Sequence, residues 1–513
     1  MINTIFIGSV SACFEIDNDL AYHSKEKYTV CLDGKALFES DTNVFSVFDL
    51  MPDREYVLEI SGEDPVTFRT AKESCAVSVR DFGAKGDGFS DDTVSIQTAI
   101  NCLPNNGRLY FPEGVYLTAP IVLKSHITLD ISEKAKLLGL PDQSAYNVIP
   151  GTAKDIITGE DIHFGTWEGN AVPMHQALIF AEYAEDIRIV GRGVIDGNAE
   201  AGGWWENVKE RNIPRPRLLF FNRCKLITVH GITVCNAASW QIHPYFSSYL
   251  HFLDLDITAP KDSPNTDALD PEACDNVWIS GCRFSVGDDC IAIKSGKIDI
   301  GRKFKQPAEN HNIRNCLMQF GHGAVTLGSE MAGGVRNLTV ERCIFDHTDR
   351  GLRIKTRRGR GKDAVIDGVL FEKMKMNGVL TPIVINMWYN CCDPDRYSEY
   401  NTTREKLPVD DRTPYLGKFT FRDMECLDCS VAACYCDGLP EMPISEINVE
   451  DIHFTFADDA RPGIPAMKNN AVEMCKAGMY FDNVDKLSIK NVTIDGCIGD
   501  KLIVGNVGEL IKE

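Results

Sequence analysis

Short β-forming runs recur along most of this 513-residue chain, and this repetition constrains the fold more than any other feature of the sequence. From about residue 120 onward the runs return at intervals of roughly 20 to 35 residues, with asparagine or glycine at the corners. They include residues 127–129, 187–190, 226–229, 277–279, 338–340 and 487–489. A doubly wound α/β fold would need a helix between successive strands, and no helical period repeats there. The sequence therefore predicts an all-β fold, a right-handed parallel β-helix over residues 79–513.

Residues 1–73 differ from the rest, because short strands there alternate with tight turns. The pattern predicts a small β-sandwich, and residues 50–58 resemble the fibronectin type III pattern in which a tyrosine follows a Leu-x-Pro turn. We expect this domain to have no catalytic role, to pack on the main domain and to form one wall of the site. After it, Asp91 and Asp92 precede apolar positions with helical spacing, which predicts an N-capped helix that plugs the end of the solenoid.

The charge and the cysteines limit the partners and the compartment. The formal net charge is −21 at pH 7, so we expect neither nucleic acid nor a membrane as a partner. The 19 cysteines are an odd number without a regular framework, which predicts free, buried thiols in a reducing compartment. The first residues lack a basic segment before their apolar run, so we expect a cytoplasmic protein. Cysteine spacing gives no zinc motif, and we expect no metal or cofactor.

The stretch 265–295 carries the strongest chemical signal. Asp267 and the pair Asp288 and Asp289 flank apolar runs and are separated by 288 − 267 = 21 residues, which is about one solenoid turn. Successive turns stack at roughly 4.8 Å, so the three acids are predicted to meet on one face. Crowded carboxylates cannot all ionise easily, and a protonated acid beside ionised partners suits glycoside hydrolysis. The alternative is that Gly287, Asp288 and Asp289 form only a turn.

Further polar residues follow at later coils. His322 stands between two glycines, and Arg353 and Lys355 are two residues apart, so on a strand they point the same way. Stacking would place acids, imidazole and cations in one stripe. The basic residues continue at positions 357–362, which form either a cationic patch for an anionic substrate or a solvated loop.

Four motifs in this order resemble the polygalacturonases, family 28 of the glycoside hydrolases. They are Asn265-Thr266-Asp267, Gly287-Asp288-Asp289, Gly321-His322-Gly323 and Arg353-Ile354-Lys355. The resemblance covers most of residues 79–500. It implies an inverting hydrolase of α-1,4-linked galacturonic acid, acting on a galacturonate-containing poly- or oligosaccharide.

The resemblance also implies roles for these residues. Asp288 would protonate the glycosidic oxygen, Asp267 and Asp289 would hold and deprotonate the attacking water, and His322 would support the protonation state of the acid. Room for that water implies acid and base carboxyls about 6.5–9.5 Å apart. Substrate-binding positions follow in the same way: Arg353 and Lys355 for the sugar carboxylate, Asn265, and Tyr389 or its neighbour Trp388. Trp240 and His243, one coil before Asp267, are also expected to line the sugar site, with a role in the core as the alternative for Trp240.

Two long insertions, at about 140–177 and 390–415, favour exo rather than endo action together with the N-terminal domain, as in bacterial exopolygalacturonases. Three other functions stay open. A hydrolase of rhamnogalacturonan is the nearest alternative, a calcium-dependent pectate lyase shares the β-helix, and a non-catalytic carbohydrate-binding β-helix would not need converging carboxylates. The sequence does not fix the oligomeric state.

Overall fold

A computed structural model describes residues 1–390 and 397–513 and shows a parallel β-helix, as predicted. Within these residues the longest sheet joins strands from every coil. Its strands are Cys75–Ser78, Asp87–Asp91, Gly107–Phe111, Gly114–Thr118, Ile127–Ile131, Ala135–Gly139, Glu185–Gly191, Val194–Asp196, Lys225–His230, Thr233–Cys235, Ser248–Leu253, Asp256–Thr258, Asp275–Ser280, Arg283–Ser285, Ala308–Arg314, Leu317–Gln319, Val335–Glu341, Ile344–Asp346, Val365–Asn377, Tyr415–Leu416, Lys418–Cys429, Ile444–Phe456, Val484–Asp495 and Val507–Lys512.

A second parallel face carries the functional residues, and we call it the site sheet. It consists of a four-stranded part, Ile121–Val122, Ile179–Glu182, Leu219–Asn222 and Ile242–Tyr245, and a seven-stranded part, Ile291–Ile293, Val325–Gly328, Arg350–Lys355, Thr381–Asn386, Ala432–Asp437, Ala477–Asp482 and Leu502–Val504. Single parallel bridges from Ile242 to Leu269 and from Leu269 to Ile291 connect the two parts. Residues near 269 therefore form one coil of the same face.

The register of the site sheet sorts side chains into ladders. Inward positions carry apolar residues with no exposed surface, and these form the apolar ladder Leu269, Ile291, Val325, Leu352 and Ile383. The outward positions between them carry many of the charged side chains, and the charged face consists of Asp270, Glu272, Lys294, Arg353 and Lys355. Because strand residues alternate between two sides, a strict register keeps each kind of side chain in its own stack.

The first coil of the β-helix is covered by the predicted helix, Thr93–Cys102, which buries Ile96, Ala99 and Ile100. The predicted cap is partly wrong. Asp92 occupies the N-cap position without a side-chain capping bond, and its carboxylate instead accepts from the amide groups of residues 85 and 86. The amide of Thr93 donates to Asp91 at 2.9 Å.

Residues 2–69 form two antiparallel sheets around a separate apolar core. One contains Ile2–Ile7, Ala12–Ile16 and Val44–Val47, and the other contains His23–Leu32, Lys35–Thr42, Glu55–Ile60 and Val66–Arg69. Their likeness to fibronectin type III and the boundary at residue 73 stay predictions.

This N-terminal unit packs against the longest sheet. Buried Glu15 accepts from Arg314 at 2.7 Å, from Asn315 at 2.6 Å and from Arg342 at 3.0 Å. The described residues that line the cavity on the site sheet begin at Glu168, so the N-terminal unit does not form a wall of the site. That part of the prediction is wrong because the unit lies against a different face of the β-helix.

The first predicted insertion folds into short antiparallel ladders. They pair Val148–Ile149 with Met174–His175, Thr152–Lys154 with Asp161–His163, and Thr166–Trp167 with Asn170–Ala171. The second predicted insertion, 390–415, includes residues 391–396, which lie outside the described residues, and it contains the short helix Glu399–Thr402. The remaining helical segments are Ile298–Phe304, Val79–Phe82 and Gln143–Ala145.

The cysteines of the described residues are all free, and most of them are buried. Among residues 1–390 and 397–513, no helix is long and apolar enough to cross a membrane. A cytoplasmic location stays a prediction.

Candidate active site

Three carboxylates lie together on the site sheet. The amide of Ala268 donates to the carbonyl of Asp289 at 3.1 Å, which places the coil of Asp267 directly beside the next one. One oxygen from each of Asp267, Asp288 and Asp289 lies within 4.8 Å of the other two. The structure thus brings together the three acids that the sequence places on one face.

The glycines beside His322 permit a close approach between coils. A Cβ atom at Gly321 would lie 2.7 Å from the carbonyl oxygen of Asp288, and one at Gly323 would lie 2.9 Å from Oδ1 of Asp289. The amide of His322 donates to the carbonyl of Asp288 at 3.1 Å. Any larger residue at either glycine would push the histidine coil away from the acids.

Asp289 is held as an anion by two cations. Nη1 of Arg353 donates to one carboxylate oxygen at 3.0 Å, and Nζ of Lys355 donates to the other at 2.8 Å. Burial raises the pKa of Asp289, but Lys355 and Arg353 outweigh burial and hold that pKa well below its usual range. These two cations, predicted as ligands of the sugar carboxylate, already neutralise an acid of the protein.

The other two acids have different surroundings. Asp288 is partly exposed to the cavity, with Nδ1 of His322 lying 3.4 Å from its Oδ1. This hydrogen bond raises the pKa of His322 above its usual value. Asp267 is enclosed, and burial together with the nearby Asp270 and Asp288 raises the pKa of Asp267 well above its usual value. The site therefore contains three different acids. Asp289 is a fixed anion, Asp267 tends to keep its proton, and Asp288 reaches the cavity beside the imidazole of His322.

The acids line a cavity of about 250 Å³. Of the predicted substrate-binding residues, Arg353, Lys355, Tyr389 and Asn265 also line it, as does Trp240. Asn265 is held in place because its Oδ1 accepts from Nη2 of Arg215 at 2.7 Å.

Trp388 and His243 lie away from the cavity. The indole of Trp388 donates to Asp437 at 2.8 Å inside the protein, so Tyr389 is the member of this pair at the site. His243 has no exposed surface, and its Nε2 lies 3.0 Å from Glu272. The predicted contact between His243 and substrate is wrong, because this buried imidazole does not line the cavity as the structure describes it and packs edge-on against Trp240, which does.

The arginines of the basic run at 357–362 form neither of the two predicted surfaces. Arg357, Arg358 and Arg360 are buried, and none of them lines the cavity as the structure describes it. Arg358 donates to both oxygens of buried Glu441, at 2.6 and 2.9 Å. Lys362 is the exposed member of the run, and its Nζ lies 3.0 Å from Asp411.

Six further cavity residues were missed by the sequence analysis: Glu168, Lys294, Lys297, Ser329, Glu330 and Met467. Lys294 directly follows the short strand Ile291–Ile293, which begins just after the Asp288–Asp289 pair, and that position was an available signal. The others come from loops whose path cannot be deduced from strand periodicity.

The three carboxylates approach one another closely. One oxygen of each lies within 4.8 Å of the others, because adjacent coils stack at about 4.8 Å and two of the acids are consecutive. The expected separation of about 6.5–9.5 Å between the acid and base carboxyl groups stays a prediction. The same closeness would suit a divalent cation, but Arg353 and Lys355 already supply the positive charge that such an ion would bring.

A parallel β-helix in which carboxylates, an imidazole and cations converge on one cavity defines a class of β-helical enzyme with an acid–base site. The comparisons with known proteins then give the family. The model of glycosyl hydrolases family 28 matches residues 148–411, more than half of the chain, and the model "Rhamnogalacturonase A/epimerase, pectate lyase-like" matches residues 76–134. This chain belongs to glycosyl hydrolase family 28.

Individual relatives agree with this assignment. A probable polygalacturonase of Vitis vinifera is 30% identical over 399 residues, which are 75% of this chain and 75% of the relative. The exo-poly-alpha-D-galacturonosidase of Dickeya chrysanthemi is 25% identical over 484 residues, 84% of this chain and 76% of that protein. The structure of the Yersinia enterocolitica family 28 exopolygalacturonase superimposes on this chain with a TM-score of 0.73 at 18% sequence identity. The match covers 100% of this chain and 98% of the Yersinia chain, and it supports the fold.

Proposed function

We propose that this enzyme hydrolyses α-1,4-linked galacturonic acid in pectin-type polymers, acting from a chain end and with inversion at the anomeric carbon. The convergence of Asp267, Asp288 and Asp289 with Arg353 and Lys355 in one cavity carries this proposal. The names of the grapevine and Dickeya relatives support galacturonan as the substrate.

The roles follow from the environment of each acid. Asp288 protonates the glycosidic oxygen, since it is the acid exposed to the cavity, and His322 lies beside it with Nδ1 3.4 Å from its Oδ1. Asp267 and Asp289 bind the attacking water and accept its proton. Asp289 is a poor nucleophile because both of its oxygens are engaged by cations, so attack by water is favoured over a covalent intermediate.

Arg353 can bind the substrate while it holds Asp289. Its Nη1 donates to Asp289, whereas its Nη2 faces Sδ of Met467 at 2.9 Å. A thioether sulfur is a weak acceptor, and a carboxylate oxygen is a strong one. The carboxylate of a galacturonate residue would therefore displace Met467 from this edge of the guanidinium group, with Lys355 and Tyr389 beside it.

The hairpin at 166–171 supports action at a chain end. Trp167 stacks on Trp240 with ring centres 5.9 Å apart, and the guanidinium of Arg217 lies 4.8 Å from the first ring and 3.9 Å from the second. Next to this stack, Nζ of Lys297 lies 3.1 Å from Glu168, and both residues line the cavity. This wall limits the cavity on the side of the earlier coils, where a polymer in an open cleft would continue.

Product analysis on polygalacturonate and on oligogalacturonates of known length tests the proposal. We expect one short product of constant size from the earliest times, with little loss of viscosity. A mixed ladder of oligomers would contradict exo action. An unsaturated, ultraviolet-absorbing product that disappears with a chelator would instead identify a lyase, and activity only on rhamnogalacturonan would identify the nearest alternative hydrolase.

A matched pair of variants sharpens the test. Trp167→Ala removes the stacked wall and should add longer products, whereas Ile157→Ala, at a position of the same insertion that is 90% exposed, should leave the product pattern unchanged. An unchanged product pattern in Trp167→Ala would remove the hairpin from the account.

A further inference from the structure

A lysine is buried within the charged face beside the catalytic acids. The side chain of Lys294 is only 4% exposed, yet it lines the cavity together with Asp267 and Asp289. Its Nζ lies 3.4 Å from Glu330, 3.6 Å from Asp270 and 4.5 Å from the ring centre of Trp240. Burying a charge is costly, so a buried lysine that is merely structural would be expected to have a simple, complete set of partners.

The partners of Lys294 are not a simple ion pair. Its distances to Glu330 and Asp270 are both longer than those of a strong charged hydrogen bond, which is about 2.7–2.9 Å. Neither oxygen of buried Asp270 has a hydrogen-bond partner among the described residues. The ammonium group is therefore shared among several acids rather than committed to one.

The position of Lys294 on the sheet explains how it reaches the acids. Lys294 pairs with Glu272 of the preceding coil. On the following coil the equivalent position is Gly328, the residue after Leu327. Gly328 in turn pairs with Lys355 of the next coil. Gly328 carries no side chain, so no side chain stands between those of Lys294 and Lys355 along this stack. A Cβ atom there would lie 2.5 Å from the carbonyl oxygen of Lys355.

The proposed mechanism leaves one difficulty that Lys294 reduces. Asp267 must be ionised to accept a proton from water, but its burial and its acidic neighbours favour the protonated form. Arg353 and Lys355 are occupied by Asp289. Lys294, a buried cation in the same cavity, opposes the rise in the pKa of Asp267, which would be larger without it. Burial lowers the pKa of Lys294, but Glu330, Asp270, Asp267 and Asp289 raise it well above its usual value, so it stays charged.

We infer that Lys294 is a positioning residue for hydrolysis, a buried cation that keeps Asp267 available as the anion that takes the proton of the attacking water. This inference rests on the proposed function. The other charged groups around it are Asp288 and Lys297 at the cavity side, buried Glu272 as its partner on the preceding coil, and Arg215, Arg217 and neutral His243 on the earlier coils.

The test is the pH dependence of kcat/KM on an oligogalacturonate. Removal of the cation in Lys294→Met raises the pKa of Asp267, so the acidic limb of the profile should move to higher pH by at least one unit. The maximal rate should fall by about 100-fold, as for loss of one preorganised charge. Lys294→Arg keeps the charge and should retain the acidic limb of the parent enzyme.

The double variant Lys294→Met/Glu330→Gln separates this role from a structural one. Removing both charges should restore the thermal stability that Lys294→Met loses. The acidic limb of the pH profile should nevertheless stay at the higher pH of Lys294→Met. A double variant with the parent pH profile would overturn the inference, and so would an unmoved limb in folded Lys294→Met. A parent enzyme inactive on galacturonan would instead contradict the proposed function itself.

Discussion

Leu352 and Arg353 are consecutive residues of one strand, and both are buried, yet they belong to two regions of opposite character. Leu352 lies in the apolar ladder inside the β-helix, with 0% of its surface exposed. Arg353, 8% exposed, lies on the charged face and binds Asp289. Both regions are built by the same stacking of coils. The apolar ladder gains free energy from burial, whereas the charged face loses much of its Coulomb energy to desolvation.

This difference shows that stability and activity depend on different regions of the molecule. A buried charge cluster is weak evidence of stabilisation, because apolar residues of similar volume often stabilise a fold equally well or better. The charged face is therefore explained by chemistry, and the apolar ladder by folding. Substitutions in the two regions should affect different measurements.

The largest effect is expected at the proposed acid. Asp288→Asn keeps the shape of the side chain but removes the proton donor, so kcat should fall by at least about 10³-fold with little change in the thermal midpoint. Asp262→Asn, at an exposed position in the same segment, is the matched control and should retain parent activity. Near-parent turnover in Asp288→Asn would remove this residue from the acid role.

A smaller loss is expected from the cation that serves both Asp289 and substrate. Arg353→Met should lower kcat/KM by about 100-fold, because one preorganised donor is lost and Asp289 is left with Lys355 alone. Arg353→Lys keeps the charge but not the planar fork and should recover only part of the loss. Steady-state kinetics measure both, and full recovery with lysine would show that the two-sided contact to Asp289 and substrate is unnecessary.

The smallest effect on activity is expected inside the apolar ladder. Ile383→Ala should lower the free energy of unfolding by about 2–5 kcal/mol, because it creates a cavity, while kcat of the folded enzyme stays close to the parent value. Denaturant unfolding and kinetics below the transition measure the two quantities. A large loss of kcat without loss of stability would mean that the apolar ladder and the charged face are coupled.

Much of the architecture could be predicted from the sequence because it depends on local periodicity. Recurring β-forming runs and corner residues indicate the β-helix, and one-coil spacing indicates that Asp267 and Asp289 approach each other. Glycines at 321 and 323 carry the same information, since close coils exclude a Cβ atom there.

Features that depend on three-dimensional packing could not be predicted in this way. The burial of Arg358 against Glu441 and of His243 against Glu272 depends on partners from distant coils. Glu168 reaches the cavity from an inserted hairpin that has no solenoid period. The face on which the N-terminal unit packs is set by side chains such as Glu15, and no sequence pattern reveals its partners.

The stereochemistry of the first product tests the central claim most directly. Carboxyl groups about 5–5.5 Å apart ordinarily accompany retention, whereas groups about 6.5–9.5 Å apart leave room for a water molecule and accompany inversion. We predict inversion, because the cations on both oxygens of Asp289 disfavour a covalent intermediate and leave water as the nucleophile. Proton NMR of a digest of a defined oligogalacturonate, recorded before mutarotation, should show the β-anomer first; the α-anomer appearing first would contradict the account.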